Sequence, residues 1–355
     1  MRVTTVVGAR PQFIKATVVS NGFRNSSIEE TIIHTGQHYN QNMSEIFFEE
    51  LGISPPKKNL SIGGGTHGQN TGRMIEALEG CFFDDRPDWV LVYGDTDSTL
   101  AAALAAAKLL IPIAHIEAGL RSFNRLMPEE INRVATDHMA QLLFSPTKIA
   151  TQNLIRESIE DKRIVQCGDV MFDATVYFGS IAQKKSKILN KLSLREKSYI
   201  LTTVHRAENT NNINDLLKIF EGLSESAIPI VFPIHPRTKS FIIENQIAIP
   251  SNINPIDPVG YLDMLTLEKN ASLIITDSGG VQKEAYFHKV PCITLREETE
   301  WVELVENGFN RLVGSDPLKI KNALTSTDEI DFESCQNLYG NGNSVKIIID
   351  RFLKG

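Results

Sequence analysis

The chain has 355 residues, 42% apolar and 22% charged, the balance of a soluble globular protein long enough for two domains of about 150–200 residues. Its formal charge of -7, from 36 basic and 43 acidic residues, disfavours a general binder of nucleic acid or anionic membrane but allows a local basic pocket for a small phosphorylated ligand. Cys81, Cys167, Cys292 and Cys335 stand far apart with no CxxC pair, which argues against a zinc site or disulfide framework and fits a reducing compartment.

Near the start, Arg10 and Lys15 interrupt the apolar stretch, so no secretory signal is read there. The most apolar long run, "LAAALAAAKLLIPIAHI", carries Lys108 and Pro112 and is too short to span a bilayer. The expected location is the cytoplasm, with no membrane and no nucleic acid as partner. Strands are expected at 2–7, 31–34, 89–93, 113–116, 142–144 and 164–167, then in a second series at 199–204, 228–233, 253–256, 273–276 and 292–295. Helices fall between them, as at 11–23, 99–108, 128–139, 281–287 and 317–324. This βαβ rhythm predicts α/β architecture: two doubly wound Rossmann-like domains, each a parallel sheet covered on both faces, facing each other across a cleft. The expected division is 1–168, rejoined by a C-terminal helix at 344–355, and 169–343, with the break near 168–173 followed by the charged segment "AQKKSKILNKLSLREKSY".

Ligands of doubly wound sheets bind beyond the carboxyl ends of the strands, so the residues after each strand carry the functional reading. In chain order these are 8–15, 94–97, 117–121, 205–209, 235–237 and 277–280, nearly all polar, charged or glycine. In "GARPQFIK", Pro11 fixes a helix start, Arg10 can fork onto phosphate oxygens and Lys15 adds a point charge. In "LIITDSGGVQKEA", Ser278, Gly279 and Gly280 are read as a turn before a helix starting near Val281. That helix N-terminus suits a phosphate, and Glu284, one turn in, suits ribose hydroxyls. A nicotinamide dinucleotide is rejected: "GARPQF" is not GxGxxG, and the second strand ends in "HTGQ" without an acidic residue.

The chemistry is expected from Asp95 in "YGDTDST", Glu117 in "HIEAGLR" and Glu129 in "MPEEINR". Three carboxylates converging in one cleft would repel, raise at least one pKa and form an acid/base set. Asp95 could instead cap the helix beginning near 96–99, and Glu129 could pair with Arg133. His205 in "TTVHRAENT", with Arg206, Glu208 and Asn209 beside it, could face the carboxylates, and His235 in "PIHPR" could donate to a diphosphate. No HExxH or other metal spacing occurs, so neither metal nor cofactor is expected.

Taken in order, "GARPQFIK", "HTGQH", "GDT", "HIEAGLRS", "MPEEINR", "HRAEN", "HPR", "IDPVGYLDML" and "TDSGGVQKEA" resemble the non-hydrolysing UDP-N-acetylglucosamine 2-epimerases over essentially the whole length. The resemblance implies the glycosyltransferase-B arrangement, a UDP-sugar substrate, a homodimer and C2 epimerisation through a glycal. It puts Arg10, Lys15, Arg133, Arg206, His235, Ser278, Gly279, Gly280 and Glu284 on the substrate, with Asp95, Glu117, Glu129 and His205 in the catalytic set. Gln37, His38 and Gln69 match parts of the family's allosteric site, although Gly68 stands where an arginine would precede Gln69. Gln12 and Phe13, Asp97 and Ser98, Trp301, Val259 and Met264 depart from the usual pattern. These departures resemble the branch acting on UDP-2,3-diacetamido-2,3-dideoxy-glucuronate, a surface-polysaccharide precursor. The competing expectations are a hydrolysing 2-epimerase, a retaining glycosyltransferase on the same fold and an inactive nucleotide-sugar sensor.

Overall fold

In the computed structural model, residues 1–37, 52, 55–325, 330–332 and 337–354 are described, without the side chain of Arg10. His38 and Cys335 lie outside the described residues. The chain divides into two units, 1–177 with 337–355 and 178–336, and crosses between them inside helix Val170–Lys185.

The first unit is built on β1 (Arg2–Val7), β2 (Glu29–His34), β3 (Lys58–Asn59), β4 (Trp89–Tyr93), β5 (Ile113–Ile116), β6 (Leu142–Ser145) and β7 (Ile164–Gln166). They pair in the order β3-β2-β1-β4-β5-β6-β7, every pair parallel. All four residues of β5 and of β6 are buried, as expected where helices cover both faces. Helix Asp97–Lys108 lies on the sheet through Ala101, Ala102, Ala103, Ala105 and Ala106, side chains small enough to bring backbone close to backbone. Helix His67–Asp84 joins that core through Met74, Leu78, Cys81 and Phe82, spaced to share one face.

The last helix, Ser344–Lys354, packs on this unit. Phe352 is buried, with its ring edge-on to Phe23 at 5.7 Å and to Trp89 at 5.6 Å. Its first turn is capped from helix Val170–Lys185, where Asp173 accepts the N–H groups of Ser344 at 3.2 Å and Val345 at 3.1 Å.

The second unit repeats the plan with β8 (Ile200–Thr203), β9 (Ile230–Pro233), β10 (Ile253–Ile256), β11 (Leu273–Thr276), β12 (Cys292–Thr294) and β13 (Asn310–Leu312), all parallel in the order β10-β9-β8-β11-β12-β13. Alternation along the strands divides the core: Ile200, Ile230, Phe232, Ile275 and Ile293 fill one face, and Leu201, Val231, Ile274 and Cys292 the other. The parallel α/β class read from the sequence is therefore borne out. β3 and β13 were not expected; β3 has two exposed polar residues, and β13 reads Asn-Arg-Leu. Among the described residues no helix is long and apolar enough to cross a membrane.

In both sheets the strand order reverses beside the first strand, between β1 and β4 and between β8 and β11. Such reversals open a crevice at the carboxyl ends of the two central strands. Gly8 and Gly94 follow the first pair, and Val204 and Asp277 follow the second.

Candidate active site

Gln12 organises the first crevice. Its carbonyl accepts the N–H groups of Gly8 at 2.7 Å and Ala9 at 3.0 Å, while its amide donates to the Tyr93 carbonyl at 2.7 Å and to Thr96 at 2.9 Å. One side chain thus locks the turn after β1 to the turn after β4. Gly8 leaves no room for a side chain, because a Cβ there would fall 2.1 Å from Ser98 Oγ. Arg10 opens helix Arg10–Arg24 with Pro11 behind it, and Lys15, buried one turn on, forms an ion pair with Glu117.

Glu117 has φ +73°, a left-handed conformation disfavoured for any side chain but glycine. Its N–H and that of Ala118 both donate to Phe144 O at 3.1 Å, which holds the turn. A Cβ on Gly94 would lie 3.1 Å from the Glu117 carboxylate, so the glycine at φ +62° lets the two turns approach.

Asp95 follows Gly94 and does not cap the helix behind it. That N-cap is Thr96, whose hydroxyl accepts Thr99 N–H at 3.3 Å. The Asp95 carboxylate, about one-third exposed, is ion-paired with Arg133, and its backbone carbonyl accepts from Asn132 Nδ2 at 3.0 Å. Both partners come from helix Pro128–Met139, which starts at a proline. Arg133 reaches back to Glu130 at 3.1 Å, not to Glu129. Glu130 is buried and accepts Ser122 N–H at 2.9 Å and Phe123 N–H at 3.0 Å, fixing the loop before the helix. Glu129 stands exposed in the first turn of that helix. Asp95 and Glu117 thus each face a cation, where mutual repulsion among three carboxylates was expected.

Gln37 accepts from Ser98 N–H at 3.1 Å and Ser98 Oγ at 2.6 Å, pinning the start of helix Asp97–Lys108. Gln69 closes a capping box with Thr66, its Oε1 3.2 Å from Thr66 N. Asp97, buried beneath this surface, meets His67 Nδ1 at 2.8 Å and Asn132 Nδ2 at 3.2 Å.

In the second unit the helix begins at Gly279, with Ser278 as its N-cap residue, so both glycines stand in the first turn and not in a turn before Val281. The strand-to-helix turn is tighter than the glycine pair implies, since Ser278 N–H already donates to Thr276 Oγ1 at 2.9 Å. A Cβ on Gly279 would lie 3.4 Å from Trp301 Nε1 and 3.9 Å from Arg206 Nη2. Glu300 Oε2 is also 3.9 Å from that point but is engaged by Arg296 Nη1 at 2.9 Å, so the indole, the guanidinium and the helical N–H groups supply the donors for an anion there. Lys283, buried, holds its ammonium 4.0 Å from the Trp301 ring centroid in a cation–π contact. Glu284 is buried and accepts from Tyr261 Oη at 3.0 Å.

His205 and Arg206 are positioned by Asp277, whose carboxylate takes both their N–H groups at 2.9 Å and Asn209 Nδ2 at 3.1 Å. His205 and His235 lie with ring centroids 5.9 Å apart. His235 Nδ1 accepts Arg237 N–H at 3.2 Å as the cap of helix Pro236–Glu244, which leaves Nε2 as the ring donor. Gln12, Glu130, Asn132, Asp277 and Lys283 have roles here that sequence reasoning did not assign. Gln12 and Asp277 carried a signal, each lying in a segment that follows a buried strand, and Glu130 and Asn132 stood inside the motif "MPEEINR".

These features define a class: a two-unit Rossmann-like protein, one unit presenting carboxylates paired to cations at its strand ends and the other a glycine-led helix ready for phosphate. The model of the family described as UDP-N-acetylglucosamine 2-epimerase matches residues 22–353. The chain belongs to that family. It is 51% identical over 354 residues to a UDP-N-acetylglucosamine 2-epimerase homolog of Methanococcus maripaludis, covering 98% of each chain. It is 49% identical over 361 residues to the UDP-2,3-diacetamido-2,3-dideoxy-D-glucuronate 2-epimerase of Pseudomonas aeruginosa, covering all of both. Among solved structures, the UDP-GlcNAc 2-epimerase of Methanocaldococcus jannaschii in complex with UDP-GlcNAc and UDP superposes with a TM-score of 0.92 at 45% identity over 100% of both chains.

Proposed function

We propose that the chain is an isomerase that inverts C2 of a UDP-2-acetamido sugar without net hydrolysis. The observation that carries this reading is the pair of carboxylates, Asp95 and Glu117, at neighbouring strand ends, each against a cation. No carbonyl acidifies C2 of a pyranose, so direct deprotonation there is out of reach. Removal of the C2 proton by a carboxylate is instead coupled to departure of UDP: the C–H electron pair becomes the C1=C2 bond of a glycal, and the C1–O pair leaves with UDP. In the return step a UDP oxygen bonds to C1 while C2 takes a proton on the opposite face. Asp95, Glu117 and Glu129 are the acid/base candidates.

Arg10, Lys15, Arg133, Arg206, His205 and His235 supply the charge and donors that keep UDP from escaping between the two steps. The first turn at Gly279 and Gly280, with Ser278, takes the diphosphate, and Glu284, oriented by Tyr261, takes the ribose. Gln37, His38 and Gln69 would form an effector site. The chemistry calls for no cofactor. The favoured sugar is the 2,3-diacetamido-glucuronate, for which the sequence departures at Gln12, Phe13, Asp97, Ser98, Val259, Met264 and Trp301 speak; identities of 51% to a UDP-N-acetylglucosamine 2-epimerase homolog and 49% to the Pseudomonas relative keep UDP-GlcNAc as the second reading. The product then feeds surface-polysaccharide synthesis, and the enzyme works as a cytoplasmic homodimer.

Proton NMR in heavy water with UDP-GlcNAc, and separately with UDP-2,3-diacetamido-glucuronate, tests the reading. Deuterium at C2 together with a manno-configured UDP-sugar is expected from the favoured nucleotide. Release of free sugar and UDP would identify a hydrolase, and absence of exchange with either nucleotide would sink the proposal.

A further inference from the structure

The two turns bearing Asp95 and Glu117 run through backbone that most residues avoid: Gly94 at φ +62°, Glu117 at +73° and Gly119 at +83°. Glycine takes such angles freely at 94 and 119, whereas Glu117 keeps its angle only because the surroundings over-determine it. The side chain that faces both turns is His115, on β5 and fully buried. Its Nε2 lies 2.7 Å from the Gly94 carbonyl, and since that oxygen can only accept, Nε2 carries the proton donated to it. Its Nδ1 lies 2.7 Å from Asp137 Oδ1.

Asp137, equally buried on helix Pro128–Met139, gives its other oxygen to Gly119 N–H at 3.0 Å and Arg121 Nη1 at 2.8 Å. Arg121 is clamped in turn by both oxygens of Glu157 at 2.7 Å, and His138 approaches Glu157 from solvent at 3.3 Å. Because His115, Asp137 and Arg121 are all buried, they act on anything outside only through the turns they hold.

We propose that His115 is a positioning residue that couples the two turns: its Nε2 fixes Gly94–Asp95, and its Nδ1, through Asp137, fixes Glu117–Gly119, so both carboxylates keep one mutual geometry. The catalytic part of the proposal rests on the acid/base reading of Asp95 and Glu117 given above; the coupling itself does not.

Two substitutions separate the two halves of the imidazole. His115→Asn keeps a donor near the Nδ1 position and loses the reach to Gly94, whereas His115→Gln keeps a donor near Nε2 and gives up Asp137. Amide hydrogen exchange followed by mass spectrometry should give a crossed pattern, each variant speeding its own segment about ten-fold or more: residues 93–97 in the Asn variant and residues 117–121 in the Gln variant. With turning-over enzyme, His115→Asn should lower kcat about 10–100-fold with KM within about threefold, and His115→Gln should recover part of that loss. Exchange that stays at the wild-type rate in both segments, or rises evenly across the first unit in both variants, overturns the proposal. If His115→Asn does not fold, His115→Gln decides by itself, through protection kept at 93–97 and lost at 117–121. A wild-type protein inert toward every UDP-2-acetamido sugar offered would refute the epimerase reading, and the exchange pattern would still answer whether His115 holds both turns.

Discussion

The buried carboxylate of Asp277 lies beneath the loop that carries His205 and takes the His205 N–H at 2.9 Å, with His205 Nδ1 3.5 Å from its other oxygen. Backbone and ring of the histidine are therefore oriented by one group at the end of β11, while the side chain itself stays 40% exposed, open to a ligand. The same carboxylate fixes Arg206, so two candidate contacts to a departing phosphate depend on a residue with no access to that phosphate.

Asp277→Asn turns one acceptor oxygen into an amide that faces the N–H donors of His205, Arg206 and Asn209. Leaving buried donors unmatched costs about 1–3 kcal/mol. The variant should lose that much unfolding free energy in a urea titration and about ten-fold or more in kcat, since His205 is no longer held. Equal unfolding midpoints and equal kcat for variant and wild type would refute the role given to Asp277.

Gln12 gives a second test, because its amide serves acceptors and donors at once. In Gln12→Glu a carboxylate oxygen would face the Tyr93 carbonyl, an acceptor that offers no proton. The expected loss is again about 1–3 kcal/mol, read by chemical denaturation near neutral pH. It should shrink in mild acid, where a protonated glutamic acid can donate. A variant as stable as wild type at pH 7 would mean that the two turns are not joined through this side chain.

How much of this was legible beforehand divides by physical cause. β1 and β4 were read to the residue because their β-branched and aliphatic runs stop at glycine, and the residues after those strands were picked out by topology alone. β3 was invisible because a two-residue exposed strand has no apolar signal. The start of helix Gly279–Phe287 was missed because a pair of glycines reads as a turn, although Ser278 in front of them can cap. The larger gap concerns partners. Arg133 sits four residues after Glu129 and three after Glu130, both spacings that allow contact, and nothing in the sequence ranks them. His115 and Asp137 stand inside a strand and a helix, where apolar neighbours conceal their hydrogen bonds until the sheet is assembled.

Arg133 spans Asp95 and Glu130 with two guanidinium nitrogens, a geometry that a single ammonium cannot reproduce. Arg133→Lys keeps the charge and loses the span, so the Asp95 carboxylate should wander. Turnover should fall about 10–100-fold with KM changed by no more than about threefold. A KM raised about ten-fold or more at unchanged kcat would show instead that Arg133 grips substrate and does not serve Asp95. Steady-state rates of C2 deuterium incorporation distinguish the two.

His288, at the far end of the helix that Gly279 begins, sets an expected acid sensitivity in the second unit. Burial first, and then the nearby Lys269 and Lys197, push its pKa down to about 4. The Glu268 carboxyl group lies 3.9 Å from Nε2. In the unfolded chain the ring titrates at about 6.5. Above that pH neither state binds the proton and the stability is fully present. As the pH falls from about 6.5 toward 4 the unfolded chain takes up a proton that the folded one refuses, and roughly 3 kcal/mol is lost. Urea unfolding of the second unit in wild type and His288→Gln, followed from pH 7.5 to 4.5, should therefore give curves that converge or cross as the pH drops, because the variant lacks this linkage. Profiles that run parallel over the whole window would mean that the ring takes its proton as readily in the fold as outside it.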